Sequence, residues 1–322
     1  MQLKFRFLCV LFTSFITFPA VAQDYPNRPI TLVVPSAAGG ANDLAGRVIA
    51  DHMSRTLGQS FIIENKGGAG GSIATRQVAQ AAPDGYTLVI GGTGTLSVHP
   101  TLHPDVGYET ARDFSPVGMI ATSALVLVAH PSLAAKSVPE LIALAKAAPG
   151  KISFASSGIG SGIHLSGELF STMAGVKMTH VPYRGSTPAL NDVVGGHVEL
   201  YFSAMPPAVG LVRDGKVRAL AVTGLARASV LPDVPTVSEA ALPGYEAVLH
   251  FGLVAPAGTP QPIIDKLNAS MRTALADKTV QDRLASAGAD PAPGSPQDYA
   301  AYLDRESRKW ADVIKTSGIK AN

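Results

Sequence analysis

The residues of this chain that could do chemistry sit in turns of glycine, serine and threonine that carry almost no charge. They are Ser36 to Asn42 ("SAAGGAN"), Gly91 to Thr95 ("GGTGT"), Ser156 to Ser161 ("SSGIGS"), Arg184 to Thr187 ("RGST") and Ser203, and Arg184 is their one cation. Such turns expose backbone N–H groups at helix starts, where unpaired donors and the helix dipole favour an anion. Each charge-assisted hydrogen bond contributes roughly 1.5 to 3 kcal/mol. Four or five of them, less the cost of immobilising the ligand, reach the roughly 8 kcal/mol of a micromolar complex. The chemistry expected is therefore capture of a small carboxylate by backbone amides. The competing explanation, that these residues only cap helices and close turns, weakens when several such loops face one cleft.

Catalytic patterns are incomplete. "GIGSG" at Gly158 to Gly162 misplaces its serine by one position for a nucleophile elbow. Gly210 to Val217 matches a phosphate loop until Val217 replaces the hydroxyl that would bind magnesium, and its glycines follow a helix rather than a strand. His99 and His103 have the i, i+4 spacing of a zinc pair, but flanking prolines argue against a helix there and no third ligand is evident. His164 and His180 read as packing near the cleft wall, and Asp192 and Glu199 as solvated or capping residues. No cofactor and no metal is called for. An exported hydrolase using Ser157 or Ser161 with His164 is the weakest reading.

The elements that must position these turns alternate along the chain. An apolar run at Ile30 to Val34 reads as a buried strand, and Asn42 or Asp43 is expected to cap a helix whose apolar face is Leu44, Val48, Ile49, Met53 and Leu57. Strand patterns at Phe61 to Ile63 and Tyr86 to Ile90 flank a glycine loop (Gly67 to Gly71) and a helix from Ser72. Alternation of this kind argues for parallel sheets with helices on both faces. It continues to about Ala255, after which the chain is helical over Pro262–Ala276, Thr279–Ser286 and Pro296–Thr316. The strand count suits two sheets. Long strand regions near Ala121–Val128 and Leu249–Val254 are the expected crossings between them, side by side as a hinge. The expected division is a first domain over 23–123 and 253–322 and a second over 124–252. Ligands of open α/β sheets bind beyond the carboxyl ends of strands, so the cleft should lie between the domains.

Residues 1–22 read as a secretory leader: Lys4 and Arg6, an apolar stretch to Phe18, and Ala20-Val21-Ala22 before a cut at Gln23. The periplasm is the expected location. Cys9, the single cysteine, lies within that leader, which excludes disulfides and thiolate chemistry from the exported chain. The 26 Lys and Arg are nearly balanced by 24 Asp and Glu, and two of those cations are in the leader, so no global field would recruit nucleic acid.

At this point the blocks "YPNRPITLVVPSAAGGANDLAGR", "FIIENKGGAGGSIATRQVAQAAPDGYTL", "GGTGTLSVHP", "ISFASSGIGSGIHLSGELF", "HVPYRGSTPALNDVVGGHVEL", "RALAVTGLAR" and "GLVAPAGTP" are similar to one family. The chain resembles the solute-binding receptors of the tripartite tricarboxylate transporters, called Bug receptors, from Tyr25 nearly to its end. The resemblance implies a two-domain periplasmic-binding-protein fold that closes on small carboxylates. It implies ligand contacts from Ser36, Ala38, Gly39, Gly40 and Asn42, and from Thr93, Gly94 and Thr95. The other domain would contribute Ser157, Gly158, Ser161, Tyr183, Gly185 and Ser203. His250 stands where many members carry tryptophan, and Ser203 where some carry aspartate, which disfavours an amino-acid ligand. The implied partners are a membrane permease or, alternatively, a sensor kinase, with the receptor itself a monomer. Valine at Gly39 or Gly40 is expected to abolish binding, and Ser36→Ala to cost less.

Overall fold

The computed structural model describes residues 25–320, so the expected leader and its cut before Gln23 lie outside the described residues. The first strand, β1 (Ile30–Val34), is buried on both faces: Leu32 and Val34 enter one apolar cluster and Val33 another on the opposite side. Successive side chains point to opposite faces of a sheet, so a strand covered on both sides reads as a continuous apolar run. Next come α1 (Ala41–Leu57), β2 (Phe61–Asn65), α2 (Ser72–Ala79) and β3 (Thr87–Gly92), with β1 pairing in parallel with β2 and β3.

The expected cap of α1 is corrected: Gly40 occupies the cap position and no side chain caps the helix. Its buried face is also shifted, to Ala45, Val48, Ile49 and Met53, while Leu44 is exposed. At about 100° per residue Leu44 falls just outside the arc those residues define.

A π-helical stretch (Thr93–Val98) runs into α3 (His99–Leu102), followed by α4 (Thr110–Asp113) and the 16-residue β4 (Phe114–Ala129). The second half of the chain holds α5 (Val138–Ala147), β5 (Ser153–Ser156), α6 (Gly162–Ala174), β6 (Thr179–Pro182), α7 (Ser186–Val194), β7 (Leu200–Ala204), α8 (Met205–Arg213), β8 (Arg218–Val222) and α9 (Val237–Ala240). The return strand β9 (Val248–Pro256) leads to α10 (Gln261–Ala276), α11 (Lys278–Ser286), the short β10 (Asp290–Pro291) and α12 (Pro296–Ser317).

Strand order is β2-β1-β3-β9-β4-β7-β5-β6, with β8 and β10 also on β4. The outer triplets are parallel, and the strands between them are antiparallel. β4 serves both halves: Phe114 to Ala124 pair with β9, and Leu125 to Ala129 pair with β7. The two strand regions expected to cross do lie side by side. The core divides accordingly into a large cluster around Phe154, Phe170, Tyr201 and Phe202 and two clusters on the faces of the β1–β3 sheet. Trp310, Val313 and Ile314 of α12 belong to the large cluster, so the carboxyl-terminal helix packs across the junction. Among the described residues no helix is long and apolar enough to cross a membrane.

Candidate functional site

A cavity of about 620 Å³ lies where helix starts from both halves face one another. From the first half come the turn after β1 (Pro35, Ser36, Ala37) with Asn42, the glycine loop before α2, and Gly92 to Thr95 opening the π-helical stretch. Ser157 to Gly162, at the start of α6, close it from the second half, and Leu249, His250 and Phe251 of β9 form its back wall. Among the described residues no Lys, Arg, Asp or Glu lines it.

The α1 turn is built around an internal anion. Asp43 is buried; its carboxylate accepts the Gly39 N–H (2.8 Å), Arg47 Nε (2.9 Å) and Asn65 Nδ2 (2.9 Å). Burial opposes ionisation of Asp43, yet the hydrogen bonds from Arg47, Gly39 and Asn65 outweigh it and hold the carboxyl below its usual range. Gly39, at φ +82°, thus spends its amide on Asp43. With Gly40 as a side-chain-free cap, the first amides of α1 keep no side-chain acceptor. α2 starts at Gly71, also without a side-chain cap. At the facing jaw Ser161 Oγ caps α6 by accepting the His164 N–H (3.1 Å) and donates to the Gly158 carbonyl (2.7 Å).

Two histidines brace that jaw. The His164 and His180 rings stack at 3.7 Å; His164 Nδ1 accepts the Gly160 N–H (3.1 Å), and His180 Nε2 meets Ser156 Oγ at 2.6 Å. Burial and then the His164 neighbour push His180 down to about 3. They pack behind the loop, and the expected wall role takes the form of a loop support.

His250 is fully buried. Thr93 Oγ1 accepts its backbone N–H (3.0 Å) and lies 3.1 Å from its Nδ1, and the ring stands edgewise to Tyr302 and Tyr299 at 5.1 and 6.0 Å. Burial, then Lys309, lowers its pKa to about 3.

Of the expected contacts, the cavity brings together Ser36, Asn42, Thr93, Gly94, Thr95, Ser157, Gly158, Ser161 and His250. Ala38, Gly39, Gly40, Tyr183, Gly185 and Ser203 do not line it. Ser203 is buried in β7, with Oγ donating to the Ala204 carbonyl (3.0 Å). Tyr183 donates its hydroxyl to Asp192 (2.6 Å), and burial and that carboxylate push it up to about 12. Asp192 and Glu199 are half-buried and hold neighbouring segments rather than standing solvated or capping helices: Glu199 accepts the Ser153 N–H (2.9 Å) and hydroxyl.

The cavity also includes residues outside the turns expected to bind, chiefly Gly70, Gly71 and His99. The run "GGAGG" opening a helix was the available signal for the first two. By its spacing alone His99 suggests only a metal ligand. The prolines do not prevent a helix there, because Pro100 sits at the first turn of α3, where a missing N–H costs nothing. The His99 and His103 rings meet edge to face at 5.3 Å, and among the described residues no three His, Cys, Asp or Glu side chains group as metal ligands.

Comparison with known proteins agrees with this architecture. Residues 45–319 match the model of the tripartite tricarboxylate transporter family receptor. Protein BugT of Bordetella pertussis is 38% identical, with 96% of this chain and 95% of that protein covered. Among solved structures, an R. palustris protein with adipate is 41% identical at a TM-score of 0.81, covering 92% of this chain and 99% of that one. MatC from Rhodopseudomonas palustris, with bound malate, is 38% identical at 0.78, covering 90% and 100%. The chain thus has the two-domain periplasmic-binding-protein fold with its cleft between the domains, and it belongs to the tripartite tricarboxylate transporter receptor family.

Proposed function

We propose that this protein is an extracytoplasmic receptor that captures a small organic carboxylate in the interdomain cleft and delivers it to a tripartite tricarboxylate-type membrane permease. The observation carrying the reading is the cavity's lining: four helical starts meet there, at Asn42, Gly71, Thr93 and Gly162, and no charged side chain competes for their amides. Such a site suits an anion short enough to touch both jaws. The adipate and malate held by the two structural relatives fit that class. In this reading the domains run over 23–123 with 253–322 and over 124–252, with β4 and β9 as the hinge. A ligand touching both stabilises the closed state by its differential affinity. Binding and release suffice for this task, and the protein acts as a monomer without turnover.

The test is a calorimetric titration of the chain from Gln23 with malate, succinate and adipate, followed by uptake measurements in cells lacking the gene. Micromolar binding together with lost uptake supports delivery. Retained uptake with a lost transcriptional response would transfer the role to a sensor kinase. Absence of binding by any organic acid would end the reading.

A further inference from the structure

Among the described residues only two titratable side chains line the cavity, His99 and His250. His250 has its Nδ1 on Thr93 and its Nε2 sealed in the protein. His99 is different. It opens α3, is 5% exposed, and lies against the glycine loop, where a Cβ at Gly70 would fall 2.9 Å from its Nε2. Among the described residues neither ring nitrogen of His99 has a hydrogen-bond partner, and of the two only Nδ1 is sealed from solvent.

That asymmetry selects a tautomer. A proton on Nδ1 would strand a buried donor with no acceptor, whereas a proton on Nε2 leaves only a lone pair there. We propose that His99 is a ligand-binding residue of this cleft: as a neutral imidazole it donates Nε2–H to an oxygen of the bound anion, the one side-chain N–H of the ring type set beside the backbone amides. The assignment rests on the receptor reading above. It places a fixed donor between the jaws, because Leu102, one turn further along α3, packs where a Cβ on Gly160 of the opposite loop would fall at 2.4 Å. Its surroundings keep the ring neutral. Burial, then the facing His103, lowers His99 to about 4. The glycine loop and Ser157 to Gly162 present no charge to it, and on α12 Asp304, which shares a neighbouring hollow with Pro100 and Thr101, is ion-paired with Arg308.

The experiment is titration calorimetry with malate, succinate and adipate on the wild type, His99→Leu and His99→Gln, with unliganded thermal unfolding as the folding control. Leucine keeps the volume without a donor and should weaken the tightest of these ligands about 10- to 100-fold, the range for a hydrogen bond to a charged group. Glutamine, which restores an N–H near Nε2, should recover most of that loss. Wild-type affinity should stay level between pH 6 and 8, with a binding enthalpy independent of the buffer's ionisation heat. Undiminished binding by a folded His99→Leu protein overturns the assignment and leaves the receptor reading standing. Proton uptake on binding that His99→Gln abolishes overturns the neutral tautomer. A wild type that binds none of the acids overturns both.

Discussion

Single residues decide where a backbone grip can exist. Gly39 has φ +82°, but a Cβ added there would meet nothing within 4 Å, and at Gly40 it would meet the Ala37 carbonyl at 3.4 Å and Ser36 Oγ at 3.6 Å. Close approach occurs instead at Gly71, where a Cβ would lie 2.6 Å from the Pro35 carbonyl and 3.0 Å from Thr95 Cγ2, with φ at +93°. Gly71→Ala should therefore cost about 2 to 5 kcal/mol and push the glycine loop away from the turn after β1, whereas Gly39→Ala pays only the left-handed backbone, about 1 to 2 kcal/mol. Urea denaturation of the two variants checks the ranking, and a larger loss at Gly39 would contradict it. The sequence marked both glycine clusters as turns. It could not say which glycine touches a neighbouring loop, because that contact joins segments more than thirty residues apart, Pro35 and Gly71. His99 escaped for the same reason: its ring gains its role from Gly70, not from its local pattern.

At the scale of elements, much was legible. The continuous apolar run of β1 and the long strand regions that lie side by side are legible because local burial and turn chemistry dictate them. The start of α5 follows the same local chemistry, Ser137 Oγ accepting the Glu140 N–H. Less legible was the reach of α12, whose polar sequence hides a stripe that docks on the other half. Trp310 is 1% exposed there, with its Nε1–H donated to Glu306 (3.0 Å), which also holds Lys309 at 2.7 Å. A helix's apolar stripe is visible in sequence, but its partner is not. Trp310→Ala should cost about 3 to 5 kcal/mol through the cavity it leaves. Because that cavity opens in the cluster containing Phe170 and Tyr245, amide exchange should accelerate most in α6 and its neighbours. Acceleration confined to α12 itself would show that the helix is only an appendage.

For the whole molecule, two buried imidazoles and one half-buried one tie stability to pH. His99, His180 and His250 are pushed to about 4, 3 and 3, burial being the first cause in each. In the unfolded chain each returns to about 6.5. The unfolded state then binds more protons, so stability is fully present above that value and declines as pH falls toward the folded values. Each histidine contributes up to about 1.4 kcal/mol per pH unit, approached only once the unfolded ring is fully protonated, so the three together remove about 7 kcal/mol between pH 6.5 and 4.5. That loss rivals the entire 5 to 15 kcal/mol of an ordinary domain. It falls on both jaws and the back wall of the cleft, since His99 sits on α3, His180 behind the facing loop and His250 on β9. Urea midpoints should be level from pH 7 to 8 and fall steeply from pH 6 to 5. Ligand present in excess should raise stability by RT ln(1 + [L]/Kd) at each pH without changing that slope, because the bound site remains neutral at His99. A ligand-dependent slope would mean that the carboxylate brings a proton with it, and a flat profile down to pH 5 would mean that the three rings are not held neutral by burial.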